Sequence, residues 1–294
     1  MPPTSPSRLT ALITGASSGI GRDYARFLAA EGYDLIITAR RADRLDELAK
    51  ELKSAFGVKV VCLPDDLADP AAPQRLAEAV KKKRLKVDYL VNNAGYVVPG
   101  AFDRVRWETQ RDMLQVLVTA VMEMCHIFGH DMAARGYGRI VNIASVAAYM
   151  AGQAGGTLYA PSKSFVVRFS QNLAVDYRDT GVHVVAVCPG FTWSEFHDVA
   201  GNREAMNRLP DIMWLEGPAV VRESHAVVEA DTGPVVIPGR FYKLFTFFYG
   251  LLPENMLNRR VRSGRGRTRD VRPQDARPAA RRRTKKDAAS SGKP

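Results

Sequence analysis

The chain has 294 residues, 46% of them hydrophobic, with 42 lysines and arginines against 31 aspartates and glutamates and a formal charge of +11. That length allows one large α/β domain or two small ones, and the apolar share is ordinary for a protein with a packed core. The charge is local. From Arg259 onward there are 14 basic and 3 acidic residues, which accounts for the whole +11 and leaves 28 of each sign in the body. The basicity therefore belongs to a tail, not to a charged active-site face. No aromatic interleaving or nucleic-acid module accompanies it, so nucleic acid is not an expected partner. Cys62, Cys125 and Cys188 are isolated, which argues against a disulfide framework and for reduced thiols. Leu9–Ile13 is too short for the apolar core of a signal peptide, and no window reaches the ~18 apolar residues of a membrane span. The expected location is the cytoplasm.

In chain order, Leu9–Ile13 reads as a short buried strand running into Thr14-Gly-Ala-Ser-Ser-Gly-Ile-Gly21. Glycines there let the backbone turn tightly and approach a phosphate seated on the next helix's N-terminus. That helix spans about Ile20–Glu31 and is closed by Gly32. A second strand, Asp34–Thr38, is followed by Ala39-Arg40-Arg41. An acid at this point would hold a ribose 2′-hydroxyl, whereas an arginine accommodates a 2′-phosphate. Arg40 therefore predicts NADP(H) over NAD(H), with Arg41 in support. An amphipathic helix (Asp43–Phe56), a strand (Lys59–Leu63) and Asp65-Asp66-Leu67 come next. They are followed by a helix over Ala72–Arg84, a strand over Val87–Val91 and Asn92-Asn-Ala-Gly95. One long helix is predicted for Trp107–Ala134. Further strands fall at Ile140–Ala144, Val182–Val187 (ending in Cys188-Pro-Gly190) and Pro234–Ile237. This alternation predicts a parallel sheet covered on both faces. His126 and His130 share a helical face near Cys125, but no third ligand falls at a convincing spacing, so no metal site is expected.

Ser145 ends the Ile140–Ala144 strand, and Tyr159 and Lys163 lie four residues apart, one helical turn on the same face. An ammonium beside a phenol favours the phenolate, which predicts a lowered Tyr159 pKa and general acid–base work. A hydroxyl at the strand's end would hydrogen-bond the oxygen being protonated.

Four landmarks then stand in order: TGASSGIG at 14–21, NNAG at 92–95, Ser145 with YAPSK at 159–163, and PG at 189–190. Over roughly residues 8–240 the chain resembles the short-chain dehydrogenase/reductase family. The resemblance implies a single α/β domain (1–240) of Rossmann type, with a doubly wound seven-stranded parallel sheet of order 3-2-1-4-5-6-7 flanked by helices. It implies a pyrophosphate turn of Gly15, Ser17, Ser18, Ile20 and Gly21. Asp66 resembles the acid at the adenine amino group, and Asn93, with Ala94 and Gly95, the wall of the adenine ribose. Ser145, Tyr159 and Lys163 resemble the catalytic residues, Tyr159 as acid/base and Lys163 also at the nicotinamide ribose. Pro189, Gly190 and Thr192 resemble contacts to the carboxamide. It also implies a small-molecule carbonyl/alcohol pair as substrate and a homodimer or homotetramer. One position departs: Leu117 stands where many members carry an asparagine that helps hold a relay water. A working enzyme is expected from the intact trio; a catalytically weak NADP(H) sensor or membrane-associated scaffold is the alternative.

The segment 191–216 corresponds to the family's substrate lid. Phe191, Trp193, Phe196, Met206, Met213 and Trp214 would make it apolar, suited to a hydrophobic and conceivably long-chain 3-oxoacyl substrate. Residues 241–258 form an aromatic segment that would cap the cleft, meet a second subunit or lie in a membrane interface. Residues 259–294 have the composition of a disordered basic tail, attracted weakly to anionic membranes.

Overall fold

The structure is a computed structural model that describes residues 8–150, 156–195, 209–253 and 255–257. Its first half runs β1 (Thr10–Thr14), α1 (Gly19–Ala30), β2 (Asp34–Thr38), α2 (Ala42–Phe56), β3 (Val60–Cys62), α3 (Ala72–Lys82), β4 (Tyr89–Asn92), α4 (Trp107–Leu114) and α5 (Ala120–Arg135). The second half runs β5 (Gly138–Ile143), α6 (Tyr159–Asp176), β6 (Val182–Val187), β7 (Phe191–Thr192), β8 (Trp214–Leu215), α7 (Gly217–Ala230), β9 (Val235–Val236) and α8 (Arg240–Gly250).

Seven strands form one parallel sheet in the order β3-β2-β1-β4-β5-β6-β9. β9 is the seventh strand of that sheet, so the predicted order holds. The order reverses at β1, which pairs with both β2 and β4, and this opens a crevice at the strands' C-terminal ends. The strands read as continuous apolar runs because both faces are covered. Ala11 and Ile13 of β1 point into a core shared with Leu28 of α1 and Val220 of α7, whereas Leu12 packs with Leu76 of α3 and Met124 of α5. Gly32, at φ +85°, ends α1 as the sequence predicts.

The long helix predicted for Trp107–Ala134 is not a regular α-helix. A π-helical turn, Gln115–Thr119, separates α4 from α5. Such a turn inserts one residue without breaking the run, so helical periodicity does not reveal it, and π turns concentrate at functional sites. Against the expectation that no window is apolar enough for a membrane span, the combined run Trp107–Arg135 is long and apolar enough by length and composition alone. In this fold it is a core element, with Leu117, Met124, Cys125, Phe128 and Met132 buried.

The predicted apolar lid is built differently from the expectation. β7 and β8 pair in parallel, Phe191 opposite Trp214 and Thr192 opposite Leu215. Trp193 stacks on Trp214 with ring centroids 3.9 Å apart. Neither tryptophan lines the cavity; the pair docks one strand on the other, while Phe191 and Met213 do line it. Phe196 and Met206 lie outside the described residues.

α8 is fastened over the sheet's C-terminal end by Tyr242 and, at its start, by Glu223 of α7, which holds the Gly239 amide and the Lys243 ammonium. Tyr242 is 2% exposed. Its hydroxyl accepts from the Phe191 amide at 3.0 Å and donates to the Met213 carbonyl at 2.5 Å. Gly190 makes room for it: a Cβ there would fall 1.9 Å from the Tyr242 ring. Tyr242→Phe keeps the ring and removes both hydrogen bonds. An expected loss of about 2 kcal/mol follows from leaving the two backbone groups without that partner. Urea unfolding checks it, and a loss under about 0.5 kcal/mol would mean that Tyr242 holds α8 by its ring packing and not by its hydroxyl.

Candidate active site

The crevice begins where β1 gives way to α1. Gly15 has φ +67°, and a Cβ on it would fall 2.8 Å from Asn93 Nδ2 and 2.9 Å from Ala94 Cα, so the turn needs glycine on both counts. The loop after β4 braces it. Thr14 Oγ1 accepts from the Asn93 and Ala94 amides at 2.9 and 3.0 Å, and Asn93 Nδ2 donates to the Thr14 carbonyl at 2.9 Å. Gly21 does not line the cavity. Its hydrogen face lies against Asn93 and Gly15, where a Cβ would fall 2.4–2.5 Å from both. Gly21 is therefore a position where close packing requires glycine. No side chain caps the first turn of α1, whose amides are its anion-binding end.

At the end of β2 both arginines face the cavity. Arg40 lines the cavity but is exposed, whereas Arg41 is half-buried. Arg41 Nη2 donates to Ser17 Oγ and Ser18 Oγ, both at 3.1 Å, which ties β2 to the glycine turn. Arg41 and Arg44 together hold Glu195, from the far side of the crevice. Burial works against the Glu195 carboxylate, but the Arg44 and Arg41 guanidiniums outweigh it and hold its pKa below the ordinary value. Asp66 also lines this end, and its carboxylate accepts from the Ala68 amide at 3.1 Å.

Deeper in the crevice, β5 and α6 bring the trio together. Ser145 follows β5 by two residues in an extended conformation, and its Oγ accepts from the Ala147 amide at 3.2 Å. The Tyr159 phenol is hydrogen-bonded to Ser145. Lys163 is 5% exposed; its Nζ lies 5.7 Å from the Tyr159 ring centre and donates to the Ile143 carbonyl at 2.7 Å. The predicted fall in the Tyr159 pKa is corrected by this geometry. Desolvation pushes Tyr159 up to about 12, against the opposing Ser145 hydrogen bond, and burial pushes Lys163 down to about 8. Burial governs both shifts, and the lysine spends one N–H on the Ile143 carbonyl. At neutral pH the pair is therefore a neutral phenol beside a cation.

A buried polar network that the motifs did not reveal sets the register of α6. Asn92 Nδ2 donates to Asn142 Oδ1 at 2.9 Å, and Asn142 Nδ2 donates to Ser170 Oγ at 2.9 Å, linking β4, β5 and α6. Cys125 belongs to the same network. Leu117, on the π turn, reaches Gly95, where a Cβ would meet Leu117 Cδ2 at 2.9 Å and Lys163 Nζ at 3.8 Å.

These parts enclose one cavity of about 580 Å³. Gly15, Ser17, Ser18, Ile20, Arg40, Asp66, Asn93, Ala94 and Gly95 line one end, Ser145, Tyr159 and Lys163 the centre, and Pro189, Gly190 and Thr192 the wall beside them. Capping of the cleft is one of the expectations for the aromatic segment 241–258, and Phe241, Tyr242 and Phe245 of α8 line the far end. Arg44 and Glu195 have no local signal in the sequence. Among the described residues no group of three His, Cys, Asp or Glu side chains gathers as a metal site.

Residues 9–205 match the family model described as short chain dehydrogenase. Nodulation protein G of a Rhizobium species is 36% identical over 197 residues, 66% of this chain and 77% of that one. A short-chain dehydrogenase from Sphingobium yanoikuyae, solved in complex with NADPH, aligns with TM-score 0.72 at 30% identity, covering 92% of this chain and 98% of that one. The bulky-bulky ketone specific alcohol dehydrogenase from Comamonas testosteroni aligns with TM-score 0.68 at 27% identity, covering 92% and 97%. With its sheet order, its crevice and the match over most of its length, the chain belongs to the short-chain dehydrogenase family.

Proposed function

We propose that the chain is an NADP(H)-dependent oxidoreductase that interconverts a carbonyl and an alcohol on a hydrophobic substrate. The observation that carries this reading is the Ser145–Tyr159 hydrogen bond beside the Lys163 ammonium, in a cavity whose far wall is the aromatic face of α8. The cavity fits the cofactor: Gly15 leaves a cradle that a Cβ would fill, and the uncapped start of α1 and the Arg41 guanidinium supply donors for phosphates. Gly15, Ser17, Ser18 and Ile20 would hold the pyrophosphate, Arg40 and Arg41 the 2′-phosphate, Asp66 and Asn93 the adenosine. Lys163, Pro189, Gly190 and Thr192 would hold the nicotinamide half. The bound cofactor supplies or accepts the hydride.

In the reducing direction the Tyr159 phenol, protonated at neutral pH, gives its proton to the substrate oxygen. The Ser145 hydroxyl donates a second hydrogen bond to that oxygen, and the Lys163 charge stabilises the phenolate left behind. Phe191, Met213, Phe241 and Phe245 exclude water and favour an apolar substrate. A series of aldehydes, ketones and 3-oxoacyl thioesters of increasing length tests that preference. Tyr159→Phe is expected to lower kcat by about 10²–10⁴-fold while NADPH binding stays within about twofold. Substantial residual turnover would overturn the assignment. Lys163 carries its charge below about 8 and loses it above, so kcat/KM for reduction is expected to fall as pH rises past that value. A flat profile to pH 10 would remove Lys163 from the proton chemistry.

The competing reading, a cofactor sensor with little turnover, is favoured by Leu117, which puts methyl groups beside Gly95 where the family's asparagine would be. It predicts NADPH binding without turnover on the whole panel, and activity gained by Leu117→Asn.

The other face of α8 supports peripheral contact with an anionic bilayer. Leu244, Phe247, Phe248 and Leu251, at helical spacing, are each at least 58% exposed, and the residues from Arg259 onward carry the +11. A second copy would bring the same positive tail and be repelled, whereas acidic lipid headgroups complement it. The full chain is expected to sediment with phosphatidylserine-containing vesicles at low salt and not with phosphatidylcholine alone, and Phe247→Glu with Phe248→Glu should release it. Equal partitioning onto both vesicles, or dimerisation lost in the double variant, would point instead to a protein partner for this face.

A further inference from the structure

Glu195 sits at an unexpected address for an acidic residue. It follows β7 on the segment Phe191–Glu195, which crosses the glycine turn closely enough that Ser194 Cβ lies 3.0 Å from the place a Gly19 Cβ would take. Its carboxylate accepts from Arg44 Nη1 at 2.6 and 2.7 Å and from Arg41 Nη1 at 3.1 Å. Arg41 turns its other nitrogen to Ser17 and Ser18 of the turn. The Arg41 and Arg44 guanidiniums thus converge on one point, and the anion that meets them there belongs to the chain itself.

A tetrahedral phosphate dianion delivered to the end of β2 calls on the same guanidinium N–H groups. A carboxylate and a phosphate at one pair of arginines repel each other, and the pair is exposed enough to exchange partners at small cost. We infer that Glu195 is a built-in competitor for the adenosine 2′-phosphate, displaced from Arg41 and Arg44 when NADP(H) seats and left in place by NAD(H). The inference rests on the reading of Arg41 as a 2′-phosphate contact and extends it in two ways. Arg44 becomes a third arginine of the cofactor site beside Arg40 and Arg41. Glu195 becomes the link between that site and the substrate segment, because its release unties Phe191–Glu195 from α2. Only the phosphorylated cofactor would then remove this tie, leaving the segment held by its pairing with β8 and by Tyr242.

The test uses the full chain and fragments of the cofactor, so that it does not depend on turnover. Binding of 2′,5′-ADP and of 5′-AMP is measured by titration calorimetry, and of NADPH and NADH by nucleotide fluorescence, for the wild type, Glu195→Gln and Arg41→Ala. Glu195→Gln is expected to tighten 2′,5′-ADP and NADPH by about fivefold, the scale of losing two exposed ion pairs, and to leave 5′-AMP and NADH within about twofold. Unchanged or weaker binding of the phosphorylated ligands by Glu195→Gln would overturn the competitor role, the weaker result making Glu195 an orienting support for the arginines. Arg41→Ala should weaken 2′,5′-ADP far more than 5′-AMP. If it weakens both equally, the 2′-phosphate assignment itself fails, which is a different outcome from the failure of Glu195. A thermal melt of each variant confirms that the fold is intact.

Discussion

A buried ammonium must find an oxygen, and where Lys163 finds one decides the geometry of this site. Its Nζ donates to the Ile143 carbonyl at 2.7 Å. Ile143 is the last residue of β5 and Lys163 lies in the second turn of α6, so the bond fixes the helix along the strand's end. Ser145 follows two residues after the acceptor, and Tyr159 precedes the donor by one turn. Pinning one pair therefore brings the other pair into hydrogen-bond contact. The Asn92–Asn142–Ser170 chain fixes the same elements from inside the core. The cost of burying the charge shows in a lysine pKa pushed down to about 8. Filling this niche with an apolar chain would spare that cost and lose the register, a common tension between stability and a working site.

The two ends of the cavity are built from different kinds of interaction. The end at β1 and β2 is held by backbone amides, glycines that tolerate no Cβ, and arginines. Its shape is over-determined, as a site for a large polar cofactor needs to be. The other end is a wall of rings on α8, fastened chiefly by Tyr242 at Gly190. Glu223 of α7 holds the start of that helix as well, so the wall is a separate element laid over the sheet's end and not part of the sheet's own core.

The legible parts of the sequence were those encoded within a few residues. Strand runs, the glycine turn, and the Tyr159–Lys163 spacing each depend on local geometry, and each appears where it was expected. Parts that depend on chain returning from far away were not legible. Glu195 meets Arg41 and Arg44 across 154 and 151 positions, and nothing near either arginine signals a distant carboxylate. Tyr242 meets Phe191 across 51 positions, and reads in sequence as one aromatic among several. The π turn hides inside a helical pattern because it adds a residue without changing the residue types. The direction of the Tyr159 shift was misjudged for a related reason: spacing gives the nearness of a charge, but not where the charge points or how much water has left.

Leu117 has a consequence for how the trio exchanges protons. In the reading of Tyr159 as the proton donor, each reduction leaves a phenolate that must be refilled from solvent. The Lys163 ammonium is bounded by the Ile143 carbonyl on one side, and by Gly95 with the Leu117 methyl groups on another. A leucine cannot hold a relay water, so position 117 offers no polar step behind the lysine. The cavity, which Lys163, Tyr159 and Ser145 all line, is a direct path to solvent. Proton return then shares its path with the ligands, and anything that fills the cavity also shuts off the solvent. Such an arrangement ties reprotonation of Tyr159 to the opening of the site after the alcohol leaves.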